Sequence, residues 1–544
     1  MASSVLPRSR RLALLALTCS AVAIPVAGCG SDSSSSSASG GGGGSADPAA
    51  LLPASSSVYV EAQVRPDGEL GDNAKAVAGK ILRTGDPSGK IAGLIDQGLK
   101  DDGASYSKDI APWLGRKIGI AVTSIGAGGG GSDVDVVGAI ASKDDDAAEK
   151  FLDRQAKGTD RKYKDVTYRF KADQDLAAAV VDHVVLVGTE RAFKAAVDAR
   201  DSTSLAASGA FKKARETVGA DGLGFVYADP AKFFDLAFGA ASASGKVKPS
   251  DAATLQALKG MLGTSGLQSV AATLDAEKDA LRIDAAAVGM KKGAGGAGAV
   301  GGAGAVDAAA AVPAGSWLSV GLGDVGATFK QSLTTLGQSG ATGGLDPATL
   351  MQQLKAQLGI DVEKDLLSWM GNAALFVRGT GVSDLGGALV VDSKDPAASR
   401  AAIPKLKKLL AGLNVKTAGL SDAPSGAEGF SVAIGGPLRG GIQIATKDDK
   451  FAIAYGAGAL KDALDGGSKL GDSKPYQTAA GLLEGVKPTL FLDTPQVVQL
   501  LSAFAGSDED FAKAKPTLDT FGPAAAGIQQ DGDTTRLKAA VSVP

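Results

Sequence analysis

Cysteine and histidine are nearly missing from this chain: two cysteines, Cys19 and Cys29, and one histidine, His183, among 544 residues. Thiolate and imidazole chemistry therefore has almost nothing to work with. A disulfide framework, a Cys/His zinc site and a His-dependent triad or dyad are excluded. No metal and no cofactor is expected. Aromatic residues are sparse at 5%, so any core rests largely on small side chains. No sign of charge dominates; a net charge of −3 over this length gives no reason to expect a nucleic-acid partner. Beyond the first thirty residues no long hydrophobic run is convincing. The best lookalike, Gly293 to Gly323, is built of Gly, Ala and Val and contains Pro313. Its transfer energy and helix propensity are weak, so it reads as a linker running into a strand.

What is present begins with a secretion signal. Arg8, Arg10 and Arg11 precede an apolar run from Leu12 to Val26. That run has the length of a signal-peptide core and is short for a membrane span. It ends in Val26-Ala27-Gly28-Cys29, which resembles the bacterial lipobox. The resemblance implies cleavage between Gly28 and Cys29 and a diacylglyceryl group on the Cys29 thiol, with residues 1–28 removed. The mature chain then keeps one cysteine, and the thioether accounts for it. Two or three acyl chains anchor stably. Residues 29–49 read as a Ser/Gly-rich tether with an r.m.s. span of roughly 25 Å.

Internal similarity comes next. Lys108-Asp-Ile-Ala-Pro-Trp-Leu-Gly115 recurs as Lys364-Asp-Leu-Leu-Ser-Trp-Met-Gly371. "VVGAIASKDDDAAEKF" answers "LGGALVVDSKDPAASRA", "DHVVLVGTERAFKAAVDA" answers "DKFAIAYGAGALKDALDG", and further blocks follow in the same order. The chain reads as an internal duplication. Its domains are expected at 50–292 and 308–544, joined by a flexible Gly/Ala-rich linker at 293–307.

Within a copy, Val58, Val60, Ala62 and Val64 alternate with Tyr59, Glu61, Gln63 and Arg65. That period of two predicts a strand with one wet face in an antiparallel sheet. "AAAVVDHVVLVG" and "IQIATKDDKFAIAYG" predict hairpins turning at Asp182-His183 and Asp448-Asp449. The expected order per copy is β-α-α-β-β-α-β-β-β-α-β-α-β-β. The fold class is α+β, each domain an antiparallel sheet with helices packed mainly on one face. "LLPASSSVYVEAQVRPDGE" followed by "DIAPWLGRKIGIAV" resembles the opening of the bacterial family called domain of unknown function 3352. Its members are typically actinobacterial secreted or lipid-anchored proteins. The resemblance covers most of the mature chain and implies an envelope location. It brings no activity, substrate or catalytic residue.

No candidate for chemistry stands out. His183 reads as a solvated residue at a hairpin turn. Gly321-Leu-Gly-Asp-Val-Gly326 matches G-x-G-x-x-G, but no second parallel strand with an acidic residue follows it. Thr84 to Ile91 lacks one spacer and the hydroxyl of a phosphate loop. Gly126 to Ser132 reads as a hairpin loop. Arg154, Lys157, Arg161, Lys162, Lys164, Arg169 and Lys171 interleave with Asp153, Asp160 and Asp165, as in a solvated helix end and loop. Asp109 and Asp365 recur, as do Asp229 and Asp493, and such residues are usually helix caps. Asp109, Trp113 and Gly115, with Asp365, Trp369 and Gly371, read as a repeated structural motif, so no catalytic residue is assigned.

The expectation is a lipid-anchored protein on the extracytoplasmic face of the bacterial cell membrane. Its role is binding or scaffolding without catalysis, toward an envelope polymer, lipid or protein. The alternatives are a carrier of an apolar ligand held between sheet and helices, and a carboxylate-dependent hydrolase.

Overall fold

A computed structural model describes residues 46–100, 103–125, 134–156, 158–219, 222–243, 259–260, 263, 265–290, 302–339, 347–381, 383–433, 441–506 and 508–544. Gly28, Cys29, the tether up to residue 45, Gly126 to Ser132 and most of the Gly/Ala linker lie outside them. The described residues form two compact units, an N-terminal one from 46 to 243 with 266–289, and a C-terminal one from 302 onward.

In the N-terminal unit the elements are β1 (Val58–Gln63), α1 (Gly68–Leu82), α2 (Pro87–Leu99), β2 (Leu114–Ile125), β3 (Val134–Ser142), α3 (Asp145–Gln155), β4 (Thr159–Tyr163), β5 (Val166–Lys171), β6 (Leu176–Val181), β7 (Val184–Thr189), α4 (Glu190–Ala199), α5 (Gly209–Val218), β8 (Gly224–Ala228), α6 (Pro230–Ala243), β9 (Ser269–Glu277) and β10 (Ala280–Val288). The strands pair antiparallel throughout, in the order β10-β9-β8-β1-β2-β3-β7-β6-β5-β4.

The C-terminal unit holds α7 (Ala303–Ala311), β11 (Ser316–Leu322), α8 (Val325–Ser339), α9 (Pro347–Leu358), β12 (Met370–Arg378), β13 (Gly386–Ser393), α10 (Pro396–Gly412), β14 (Thr417–Ala418), β15 (Glu428–Ala433), β16 (Gly441–Lys447), β17 (Lys450–Tyr455), α11 (Ala459–Asp465), α12 (Lys474–Gly481), β18 (Leu490–Leu492), α13 (Thr494–Ala505), α14 (Glu509–Leu518), β19 (Ala524–Asp531) and β20 (Thr534–Ser542). Its order is β20-β19-β18-β11-β12-β13-β17-β16-β15-β14, again antiparallel. Counted along each unit, the two orders are the same.

Helices clothe both faces, which corrects the expectation of one covered face. In the C-terminal unit two apolar clusters use strand residues of opposite parity. Ala374, Phe376, Ala388, Ala452 and Ala454 join Leu460, Leu464 and Tyr476 of α11 and α12. Ala373, Val391 and Phe451 join Trp369 and the Ala402 and Ile403 of α10. Successive strand residues point to opposite sides, so these clusters lie on opposite faces of the sheet. In the N-terminal unit β6 is buried from Leu176 to Ala179 and touches both α3 and α4. Phe211 of α5 packs edge-on against Tyr59, Phe225 and Tyr227 at 5.6, 5.6 and 5.1 Å.

The expected wet face of β1 is also reversed. Tyr59, Glu61 and Gln63 are buried, whereas Val58, Val60 and Ala62 are half-exposed. The reason is internal neutralisation. Glu61 accepts from the Tyr59 hydroxyl at 2.7 Å and meets Arg215 at 2.5 Å and Lys117 at 3.1 Å. Burial pushes its pKa up, but Arg215, Lys117 and the Tyr59 hydroxyl outweigh burial and hold it below the ordinary value. Arg65, the last of the expected wet residues, donates to the carbonyls of Ala111 and Leu114.

Two elements escaped the sequence pattern. The basic stretch, expected as a helix end and loop, is the β4–β5 hairpin, turning at Lys164 with φ +54°. Every residue of β4 but Tyr163 is exposed, so no apolar alternation marks it. Helix α5 fills the other gap. The expected tether and linker each overlap folded residues. Pro48–Leu51 forms a tight helical turn in which Pro48, Ala49 and Leu51 are buried, and residues 303–307 open α7 instead of serving as linker. The hairpins at Asp182-His183 and Asp448-Asp449 form where the sequence places them.

Candidate functional site

The recurring Asp-Trp-Gly residues come together as a tie in each unit. Before β2 the chain makes one wide helical turn, Tyr106–Ile110, and before β12 another, Val362–Leu367. The indole N–H of Trp113 donates to the Asp109 carbonyl at 2.8 Å, and that of Trp369 to the Asp365 carbonyl at 3.1 Å. One carboxylate oxygen accepts a backbone N–H, from Ser105 at 2.9 Å or from Asp361 at 2.8 Å. The other accepts a cation, Arg154 at 3.0 Å or Lys405 at 2.7 Å. Lys405, then the Asp361 N–H, hold the Asp365 carboxyl below its usual range. The tryptophans are buried against Phe151 and Phe451, with ring centroids 5.5 and 5.0 Å apart. A Cβ at Gly115 would sit 2.7 Å from the Ala141 carbonyl oxygen, and one at Gly371 2.8 Å from that of Asp392. Both carboxylate oxygens in each tie are used to hold the turn on the sheet.

The remaining candidates are absorbed into the fold in the same way. Asp229 caps α6 through the Lys232 N–H at 3.1 Å, and Asp493 caps α13 through the Gln496 N–H at 3.4 Å. His183 sits in its turn with φ +63° and its Nδ1 2.7 Å from Asp145. In the G-x-G-x-x-G stretch the glycines make room for protein. A Cβ at Gly321 would overlap the Ala305 carbonyl oxygen of α7, and one at Gly326 the carbonyl of Leu367. No space is left there for a pyrophosphate. Thr84 to Ile91 is the lead-in and first turn of α2, with its N-cap Asp86 accepting from the Gly89 N–H at 2.9 Å. Among the described residues no group of three or more His, Cys, Asp or Glu could hold a metal ion.

Several cations of the basic stretch are paired by their own surroundings. Arg161 makes two bonds to Glu190 at 3.1 and 3.0 Å, Lys164 reaches Asp198 and Asp201, and Arg169 reaches Asp153 and Asp160. Lys194, the Tyr168 hydroxyl and Arg161 together hold Glu190 at about 2. A surface hollow of about 560 Å³ lies beside it, lined by Asp175, Glu190, Arg191, Lys194 and Asp198.

The uncommitted surface is apolar. On the Trp369 side of the C-terminal sheet, residues in register form a row across six strands: Leu490, Val320, Leu375, Leu389, Ile453 and Ile444. None is polar. Leu490, Leu375 and Ile453 are 37, 40 and 36% exposed and the other three are half-buried. The neighbouring row, Ala373, Val391 and Phe451, is fully buried in the Trp369 cluster. Leu389 and Ile444 pack partly against that cluster, so the row is open chiefly at Leu490, Leu375 and Ile453. The matching face of the N-terminal unit is uncharged over β8–β10 and exposes Val226, Val270 and Ile283. Single exposed apolar residues are ordinary, whereas a contiguous set marks an interaction site. Sequence reasoning passed over this row. The signal was the continuous apolar runs "AALFV" and "ALVV", which in an antiparallel sheet mean two apolar faces.

Fold and site together define two units, each a ten-stranded antiparallel sheet with an Asp-Trp-Gly tie, and in the C-terminal unit one partly open apolar row. The chain belongs to the family described as "Protein of unknown function (DUF3352)", whose profile matches residues 33–540. No curated protein sequence matches it. Among solved structures, crystal form III of TP0453 is similar at 11% identity and a TM-score of 0.23, over 45% of this chain and 81% of that one. Crystal form I of TP0453 gives 10% identity and a TM-score of 0.23, over 46% and 80%. Among the described residues no helix is long and apolar enough to cross a membrane.

Proposed function

We propose that this is a lipid-anchored protein of the bacterial envelope, held at the extracytoplasmic face of the membrane through Cys29, that binds an apolar ligand without catalysis. The observation that carries the binding role is the unpolar, half-open row Leu490–Ile444, flanked by a covered one. The engagement of both Asp109 and Asp365 oxygens in structural ties favours a structural role for them over the hydrolase reading. The shared strand order and the shared tie support descent of both units from one duplicated module. The lipobox-like Val26-Ala27-Gly28-Cys29 supports the anchor, and the Ser/Gly tether gives it reach.

Two measurements test this. Cys29→Ala abolishes metabolic labelling with a lipid precursor; labelling that persists refutes the anchor. Native mass spectrometry of protein extracted gently from membranes shows an apolar adduct that organic solvent removes. A clean apo mass, together with no uptake of any apolar probe, refutes the binding role.

A further inference from the structure

Resting on the membrane anchor proposed above, we propose that the C-terminal end of α10, from Lys407 to Lys416, docks on the surface of an anionic lipid bilayer. From Pro396 to Ala418 the chain holds Arg400, Lys405, Lys407, Lys408 and Lys416 and no Asp or Glu. Two of these cations are used inside the unit: Arg400 on Glu428 at 3.1 Å and Lys405 on Asp365 at 2.7 Å. Lys407 and Lys416 are exposed and meet no carboxylate among the described residues. The turn Val362–Leu367 packs against α10, but its other carboxylates have cations of their own: Glu363 takes Lys330, and the capping Asp361 takes Lys355. The helix dipole does not account for the surplus, because no cation lies in the last turn of α10.

An apolar stripe runs into the same end. Ala402 and Ile403 are buried, and Leu406 and Leu410 pack partly against the Trp369 cluster. At helical spacing the next position is Leu413. It is 66% exposed, the most of any large apolar side chain among the described residues. The stripe thus outlasts its cover, and lysines stand on either side of its end in the chain. A basic helix end with one exposed leucine suits a membrane surface: the ammonium groups meet lipid phosphates while the leucine enters the interface. On a neutral bilayer the charges gain nothing, so the surface is an anionic one. The matched helix α3 is the reverse case. It carries Asp145, Asp146, Glu149 and Asp153 against Lys150 and Arg154, and it lays Phe151 on Trp113.

The mature chain without its acylated cysteine, Gly30 to Pro544, keeps every described residue and separates this contact from the anchor. It is sedimented with phosphatidylcholine vesicles made with and without phosphatidylglycerol. Binding is expected to the anionic vesicles alone, and it should vanish in about 1 M salt, where screening shortens to about 3 Å. Lys407→Gln and Lys416→Gln should each weaken it about fivefold. Lys150→Gln on α3 should change nothing. Leu413→Trp should tighten binding, since indole favours the interface, and misfolding does not produce a salt-sensitive gain of this kind. Equal sedimentation with both vesicle types, or undiminished binding by the Lys407→Gln and Lys416→Gln double variant, overturns the docking site. Sedimentation with purified cell wall but not with anionic vesicles also overturns it and assigns the lysines to a wall polymer. Labelling at Cys29 decides the anchor separately. A labelled chain whose unacylated form ignores anionic vesicles keeps the anchor and loses the docking site; an unlabelled chain that binds them does the opposite.

Discussion

The two units share a strand order and a tie, yet at matched positions on their first strands they solve opposite problems. Register places Glu61 of β1 where β11 has Gly321. In the C-terminal unit the missing side chain lets α7 press its Ala305 carbonyl onto the sheet. In the N-terminal unit the same place holds a buried carboxylate with its own cations, and the chain before it manages only the short turn Pro48–Leu51. At this matched position the segment leading into one unit lies on the sheet as a helix, and in the other a short turn is formed.

The tie is where the comparison predicts equality. Trp113→Ala and Trp369→Ala each remove a buried indole, and each should cost its own unit about 3–5 kcal/mol. Calorimetry of the full chain should show two transitions, with a different one shifted in each variant. Loss confined to one variant would mean that the two ties are not equivalent.

The next largest effect separates the units. Glu61→Ala strands Arg215, whose side chain is only 14% exposed, and should cost about 3 kcal/mol, because breaking a buried pair leaves an uncompensated charge. Gly321→Ala forces α7 off the sheet, and overpacking of this kind costs about 1–3 kcal/mol. Hydrogen exchange should show Gly321→Ala loosening peptides of α7 and β11, and Glu61→Ala loosening α5 and β1. Protection of α7 that survives Gly321→Ala would undo the argument from that position.

Much of this was legible in the sequence, for identifiable reasons. The hairpins at Asp182-His183 and Asp448-Asp449 were readable because turn residues punctuate them. The ties were readable as a recurring Asp, Trp and Gly, although only the structure shows the carboxylates spent on backbone N–H groups and cations. Glu61 was misread, since periodicity treats a carboxylate as a mark of solvent and cannot see the Arg215 that arrives from 154 residues away. The β4–β5 hairpin was missed because charge covers nearly all of β4. The half-open row was missed because its exposure depends on how the helices lie over the sheet, which no local pattern encodes.

The smallest predicted difference is one of pH. Glu190 opens α4 in the N-terminal unit, and Gly456 stands at the matching step after β17. Lys194, Tyr168 and Arg161 depress the Glu190 pKa from 4.5 to about 2, so its ionised form stabilises the folded unit. That contribution is complete above the unfolded value near 4.5 and is lost as the pH falls through about 2. The carboxylate lies near the surface, where solvent screens such pairs, so about 1 kcal/mol is the expected size. Glu190→Gln should therefore destabilise β5 and α4 by about that much at pH 7 in urea-dependent hydrogen exchange. The gap to the unaltered protein should narrow below pH 4.5 and close near pH 2, while peptides of β17 and α11 stay unchanged. A gap that is constant with pH would mean that Glu190 acts by packing and helix capping, and the charge difference between the units would then have no bearing on their acid stability.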